Sequence, residues 1–141
     1  MAEKTKDQWT AQGKKFKQEI EKLKNLQVRV GYQQGKTVNE DGVDLLDIAM
    51  WNELGTINSP SRPFLRKTID ENADKINAFL KMQIQRMVKG ATAEDVLKAI
   101  GVFMKGLVQE KIESGSYTPN APSTIKRKKS DKPLIDTGLM R

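Results

Sequence analysis

Residues 27–33 read QVRVGYQ, and the fold class turns on how they are taken. Val28, Val30 and Tyr32 alternate with polar neighbours, which is the period of a half-buried β-strand. No other segment gives a comparable strand signal. A buried strand cannot satisfy its own backbone hydrogen bonds, so this reading demands a partner and places a small sheet in the fold.

Outward from this segment the patterns are helical. Upstream, Trp9, Phe16, Ile20 and Leu23 recur at spacings of seven, four and three, predicting a helix over 5–26 that Gly13 slightly weakens. Downstream, QGKTVNEDGV (34–43) has the chemistry of a loop. Asp44 can cap a helix over 45–54 with Leu45, Ile48 and Ala49 inward and Trp51 and Leu54 extending that face. Gly55 is placed to end it in a left-handed conformation.

Residues 63–89 give the longest helical pattern, on a stripe of Leu65, Ile69, Ile76, Leu80, Ile84 and Met87 widened by Phe79. Its length at 1.5 Å per residue is about 40 Å. After Gly90, Thr92 and Asp95 resemble a capping box for a helix over 93–114. Val96, Leu97, Ile100, Phe103, Met104, Leu107, Val108 and Ile112 form its stripe. The short connection predicts that the two long helices lie antiparallel.

Beyond Gly115 turn formers dominate. Pro122–Ser123 can start a single turn through Thr124–Lys128, and Leu134–Ile135 is an apolar anchor. The expected class is therefore α+β, mostly helical: N-terminal helix, short strand, short helix, two long antiparallel helices, a small sheet and an extended basic C-terminal segment. Residues 1–115 form a single α+β domain in this reading, and 116–141 an extended basic arm.

Composition narrows function mainly by exclusion. The 141-residue chain has neither cysteine nor histidine. Disulfides, thiolate chemistry and Cys/His zinc sites are ruled out, and the commonest general base near neutral pH is missing. Glu40, Asp41 and Asp44 cluster without the spacing of a calcium loop, and no phosphate-loop or nucleophile-elbow motif occurs. The expectation is a non-enzyme with no catalytic, cofactor or metal residues.

No apolar run approaches the ~20 residues of a membrane span, and the N-terminus lacks the apolar core of a secretory signal. Net charge is +7, and it is concentrated at the ends: +3 over residues 1–26, zero over 27–115, +4 over 116–141. The run Lys126–Arg127–Lys128–Lys129, with Lys132 behind it, suits phosphate neutralisation without base stacking.

Two further stretches carry a resemblance. DIAMWNELGT…SPSRPFLRKTID (47–70) and APSTIKRKKSDKPLIDTG (121–138) resemble segments of the small neck proteins of long-tailed bacteriophages, the tail-completion or head–tail joining family. The matching positions are Ile48–Ala49, Asn52–Glu53, Gly55–Thr56 and Arg62–Pro63–Phe64–Leu65, then Pro122–Ser123–Thr124, Lys128 and Lys132–Pro133–Leu134–Ile135–Asp136–Thr137–Gly138. Ser59–Pro60–Ser61 departs from the usual apolar residue and proline before the arginine. Family members also continue past this point into another strand, the natural partner of residues 28–32. Here that partner is expected from a longer chain or from a neighbouring subunit by edge addition.

The resemblance implies a structural virion protein of the neck or tail terminus, made in the host bacterial cytoplasm and joining tail to capsid around the DNA channel. It implies a hexameric or dodecameric ring that meets other neck, portal-adaptor and tail-tube or terminator proteins, with no membrane partner. Basic residues of such a ring can touch DNA in the lumen without reading sequence. The alternative is a small nucleic-acid-binding protein that uses the KRKK run on phosphates. Within the resemblance NELGT…SRPFL is expected to form a stiff corner between helices, the alternative being an ordinary interhelical loop with no interface role. Gly55 permits the reversal, Phe64 and Leu65 pin it to the core, Arg62 points outward, and Glu53 pairs with Arg62 or Arg66.

Overall fold

The computed structural model describes residues 9–140, and these carry six helices. By contact they divide into two compact units: residues 9–29 with 74–103, and residues 30–73 with 104–140.

The first unit is helical. Helix α1 (Ala11–Leu23) begins at Thr10, whose hydroxyl accepts from the Gly13 backbone N–H. Gly13 is also the seat of Trp9, since a Cβ there would lie 3.0 Å from the indole. Phe16, Ile20 and Leu23 pack on the buried Met87, Ala93 and Val96 of α4 (Ala73–Val88) and α5 (Ala93–Ser114). Phe79 stacks on Phe103 with centroids 4.0 Å apart. The two rings lie nine and ten residues from the facing ends of their helices, so these segments run antiparallel as expected. The turn is a Schellman closure: Gly90, at φ 110°, donates to Met87 O, and Ala91 donates to Arg86 O.

Helix α1 completes this turn. Gln12 Nε2 donates to Val88 O at 2.6 Å and Lys15 Nζ to Gly90 O at 2.9 Å, taking carbonyls at the end of α4. The Glu19 carboxylate accepts from the Ala93 N–H at 2.8 Å, taking a free donor at the start of α5. Helix ends carry unpaired backbone groups, and one row of α1 side chains meets three of them.

In the second unit, α2 (Leu45–Leu54) and α3 (Phe64–Glu71) pack on each other and share a core with Ile112 of the far half of α5, and α6 (Pro122–Lys128) belongs to the same unit. Leu45, Ala49, Phe64, Ile112, Leu134 and Met140 form the core, with Tyr32 edge-on to Phe64 at 6.1 Å. The N-cap of α2 is Asp44, which accepts from Leu46 N and also from Gly35 N, tying down the loop at 34–43.

Four expectations are corrected here. The first is the sheet. Residues 27–32 form no strand, and only two isolated bridges occur among the described residues, Val38–Asp44 and Thr56–Ser59. The class is therefore all-helical rather than α+β. The alternation of Val28, Val30 and Tyr32 is not that of a half-buried strand, since Val28 and Val30 are both exposed. Val28 lies against α5, where a Cβ on Gly101 would come within 3.0 Å of it, and Tyr32 reaches its own unit's core. No second strand in the described chain offers the backbone partners a sheet needs.

Second, the helix expected over 63–89 is interrupted at Asn72 (φ −113°, ψ 17°), leaving α3 and α4. The Asn72 amide donates to Thr68 O, in the last turn of α3, and the Thr68 hydroxyl bonds back to Phe64 O, so local side chains compete for the helix's carbonyls. The single expected stripe does not survive the break. Ile69, Leu80 and Ile84 are exposed, whereas Gln83 and Met87 face inward. Third, the first helix spans Ala11–Leu23 rather than 5–26, with residues 5–8 lying outside those described. Fourth, the segment after 115 is no arm, since Leu134 and Met140 are core residues of the second unit.

The Glu19 contact sets a pH response. The Lys22 hydrogen bond, then that of Ala93, holds its pKa below the ordinary carboxylate value. A depressed folded pKa stabilises the fold above the unfolded value and loses that contribution as pH falls through the folded one. Urea midpoints taken between about pH 5 and pH 3 should therefore fall less steeply for Glu19→Gln than for the natural chain. Parallel slopes would show that this carboxylate is not linked to folding.

Candidate functional site

The corner between α2 and α3 is built from backbone outward. Gly55 ends α2 at φ 79°, and a Cβ there would lie 2.8 Å from the Ser61 nitrogen. Any side chain would collide with backbone that cannot yield, so glycine is required on two counts. Thr56 and Ser59 exchange backbone hydrogen bonds at 2.8 and 3.2 Å, closing the tip around Ile57 and Asn58. The chain then returns along α2. Ser61 Oγ donates to Glu53 O at 2.7 Å, and Arg62 N donates to Asn52 O at 2.6 Å. Pro63 is the N-cap of α3, and Phe64 behind it is fully buried.

Glu53 and Arg62 do not pair with each other as expected. The Glu53 carboxylate instead accepts from the backbone N–H groups of Leu65 (2.8 Å) and Arg66 (3.1 Å). It thereby caps α3, whose N-cap Pro63 offers no side-chain acceptor. Arg62 is corrected more sharply. It points inward, with only 6% of its surface exposed. Its Nε donates to Thr118 O at 2.8 Å, and one Nη donates to Pro119 O and Asn120 Oδ1, each at 3.2 Å. Burial lowers its pKa, yet a guanidinium stays charged at any physiological pH.

The segment clamped by Arg62 is positioned from the other side by Tyr117. This ring folds over Gly115, where a Cβ would lie 2.6 Å from it, and its hydroxyl donates to Lys111 O. Burial first, then the charges of Glu71 and Glu53, pushes its pKa up to about 12. Tyr32 is likewise raised to about 12 by burial, and its hydroxyl donates to Met140 O at 2.7 Å.

The C-terminal signature arrives on the same core. Leu134 is buried, Pro133 and Ile135 are half-buried, Gly138 turns at φ 84°, and Asp136 and Thr137 are exposed. The basic run does not act as one block. Lys128 is turned inward and donates to Pro133 O at 3.3 Å, while Lys126, Arg127, Lys129 and Lys132 remain exposed. Desolvation lowers the Lys128 pKa; Asp136 opposes this, and Arg62 and Arg127 add to it.

Between corner and C-terminal segment lies a cleft of about 500 Å³. Asn52, Arg62, Asn120, Lys128, Leu134 and Asp136 are among its walls, so both signatures meet there. Asn120 was not foreseen. It is 9% exposed, and its amide nitrogen has no acceptor. Trp51 and Leu54, expected to turn inward, are instead exposed with Met50 and Ile57, the last completely. The signal for that face was present: LLDIAMWNEL is apolar on more than one side.

Comparison of the chain with protein-family models, with curated proteins and with solved structures finds no match. Among the described residues no group of three or more acidic side chains could hold a metal ion, and no helix is long and apolar enough to cross a membrane.

The clamp predicts an order of effects. Arg62→Met takes the donor from the buried Asn120 amide oxygen and from the Thr118 and Pro119 carbonyls and should cost about 3 kcal/mol of unfolding free energy. Arg62→Lys should recover only part, because an ammonium cannot fork across these acceptors. Glu53→Ala removes a helix cap and should cost about 1 kcal/mol. Urea denaturation of the three variants checks the ranking.

Proposed function

We propose that the chain is a structural subunit of the neck or tail terminus of a long-tailed bacteriophage, working by packing against copies of itself and against adjoining neck, portal-adaptor and tail-tube proteins. It would act in the virion, as a hexameric or dodecameric ring around the DNA channel. The observation that carries this reading is the outer face of α2 and the corner beyond it. Met50, Trp51, Leu54 and Ile57 are 46–100% exposed, on a backbone corner held by Gly55, Glu53 and Arg62. Clustered large apolar side chains on a rigid support are the mark of a subunit contact, and rings need such closing, heterologous faces. The order and spacing of the two family-like signatures support the same reading, since both fold onto one core.

Phage particles made without the protein should accumulate as separate heads and tails, or as joined particles that leak DNA. Normal infectious particles in its absence would end the proposal. In the purified protein, Leu54→Glu with Ile57→Asp should abolish ring formation seen by native mass spectrometry while leaving the thermal midpoint nearly unchanged.

A second reading, contact with nucleic acid, is carried by the exposed Lys126, Arg127, Lys129 and Lys132. If these neutralise duplex phosphates, log K against log salt should have a slope of about −3 to −4. That slope should flatten when all four become alanine. A flat plot for the natural chain would remove the DNA contact and leave the ring reading standing.

A further inference from the structure

The cleft beside Arg62 is lined by a residue whose hydrogen-bond donors meet no acceptor. Asn120 lines it, nine-tenths buried, with both amide N–H groups unpartnered. Its own carbonyl oxygen is already taken by Arg62. Lys128, half-buried on the same lining, uses one of its three N–H groups, on Pro133 O. Arg127 and the Thr124 hydroxyl also line the space. A buried amide without an acceptor is costly, and native structures leave few of them. The geometry points to a carboxylate-binding site: the cleft takes an aspartate or glutamate side chain, or a terminal carboxylate, presented by a protein segment.

Three observations favour a carboxylate over phosphate. Glu40, Asp41 and Asp136 line the cleft beside the three cations Arg62, Arg127 and Lys128. That near-balance tolerates one negative charge and opposes a dianion or a phosphodiester chain. Arg62 spends its Nε and one Nη on Thr118, Pro119 and Asn120, so that edge of the guanidinium is not free to fork onto a phosphate. The remaining lining includes Leu45, Ile48, Leu134 and Met140, apolar area that peptide side chains can cover and a phosphate cannot. The desolvated ammonium of Lys128, crowded by two guanidiniums, gains most from such a guest.

The site stands apart from the ring proposal, whose tests read α2 and whole particles. The experiment is a nuclear magnetic resonance titration of the full chain with three probes. N-acetylaspartic acid α-amide supplies a side-chain carboxylate, N-acetylglycine a terminal one, and inorganic phosphate is the competitor. One of the carboxylates should give saturable shifts of the Asn120 side-chain amide and raise the Lys128 pKa. The stronger of the two identifies which carboxylate the site prefers. Lys128→Gln and Asn120→Leu should each lose the saturation while keeping the helical circular dichroism. No saturable shift at Asn120 with either carboxylate would overturn the proposal, as would phosphate binding at least as tightly as both. Because the natural chain is titrated directly, a variant that fails to fold does not prevent the decision.

Discussion

The second unit depends on a buried positive charge. Arg62 follows a turn that Gly55 makes possible, and its guanidinium reaches a segment 56 to 58 residues further along the chain. Taking a cation out of water is expensive unless donors are met, and here two carbonyls and an amide oxygen meet those of Nε and one Nη. The contact therefore works as a specification. Residues 118–120 can pass the corner in one arrangement that satisfies the arginine, and the path of the chain into α6 follows from it. From there Lys128 reaches Pro133 O, and Leu134 enters the core beside Phe64. Remove the cation and the carbonyls of Thr118 and Pro119 lose the donor that fixes them.

A shared device recurs in both units. A carboxylate on one helix takes free N–H groups at the start of another: Glu19 for α5, Glu53 for α3. Such a contact spans two elements, so it sets where the helices meet as well as where one begins. This explains why α3 can start from Pro63, which has no side-chain oxygen to cap with. The cap is supplied by the preceding helix, and the Ser61 and Arg62 bonds to α2 hold it in range.

Local chemistry was legible in the residues, and partnership over distance was not. The limits of α2 and α5 agree with those expected because Asp44, Gly55 and Thr92 act within a few residues of where they stand. The apolar stripe of α5 was readable too: Val96 to Ile112 are buried or half-buried at every expected position. Alternation at 28–32 was misleading because a period of two records which side chains meet apolar surface and not what supplies it. Here α5 supplies it to Val28 and the core of the second unit to Tyr32, while Val30 stays exposed. The break at Asn72 had no strong signal, asparagine being only mildly unfavourable inside a helix. The inward turn of Arg62 had none, since its acceptors lie in a remote segment of unremarkable sequence.

The outer face of α2 raises a solubility question that the charge distribution answers. A helix that buries Leu45 and Ala49 while showing Met50, Trp51 and Leu54 to water has apolar surface in excess of what its own unit covers. Such surface favours indiscriminate association unless something opposes it. The chain carries a net charge of +7, with residues 1–26 and 116–141 holding all the excess. Like charges repel at long range, while apolar contact acts only at close approach, so copies stay apart until a geometry offers enough matched area to outweigh the repulsion. A rigid corner makes that geometry selective, because a fixed Ile57 fits few complementary hollows. Under the proposed ring reading the basic ends and the apolar corner would act together: repulsion would keep free copies apart, and the fixed shape would decide which encounter overcomes it.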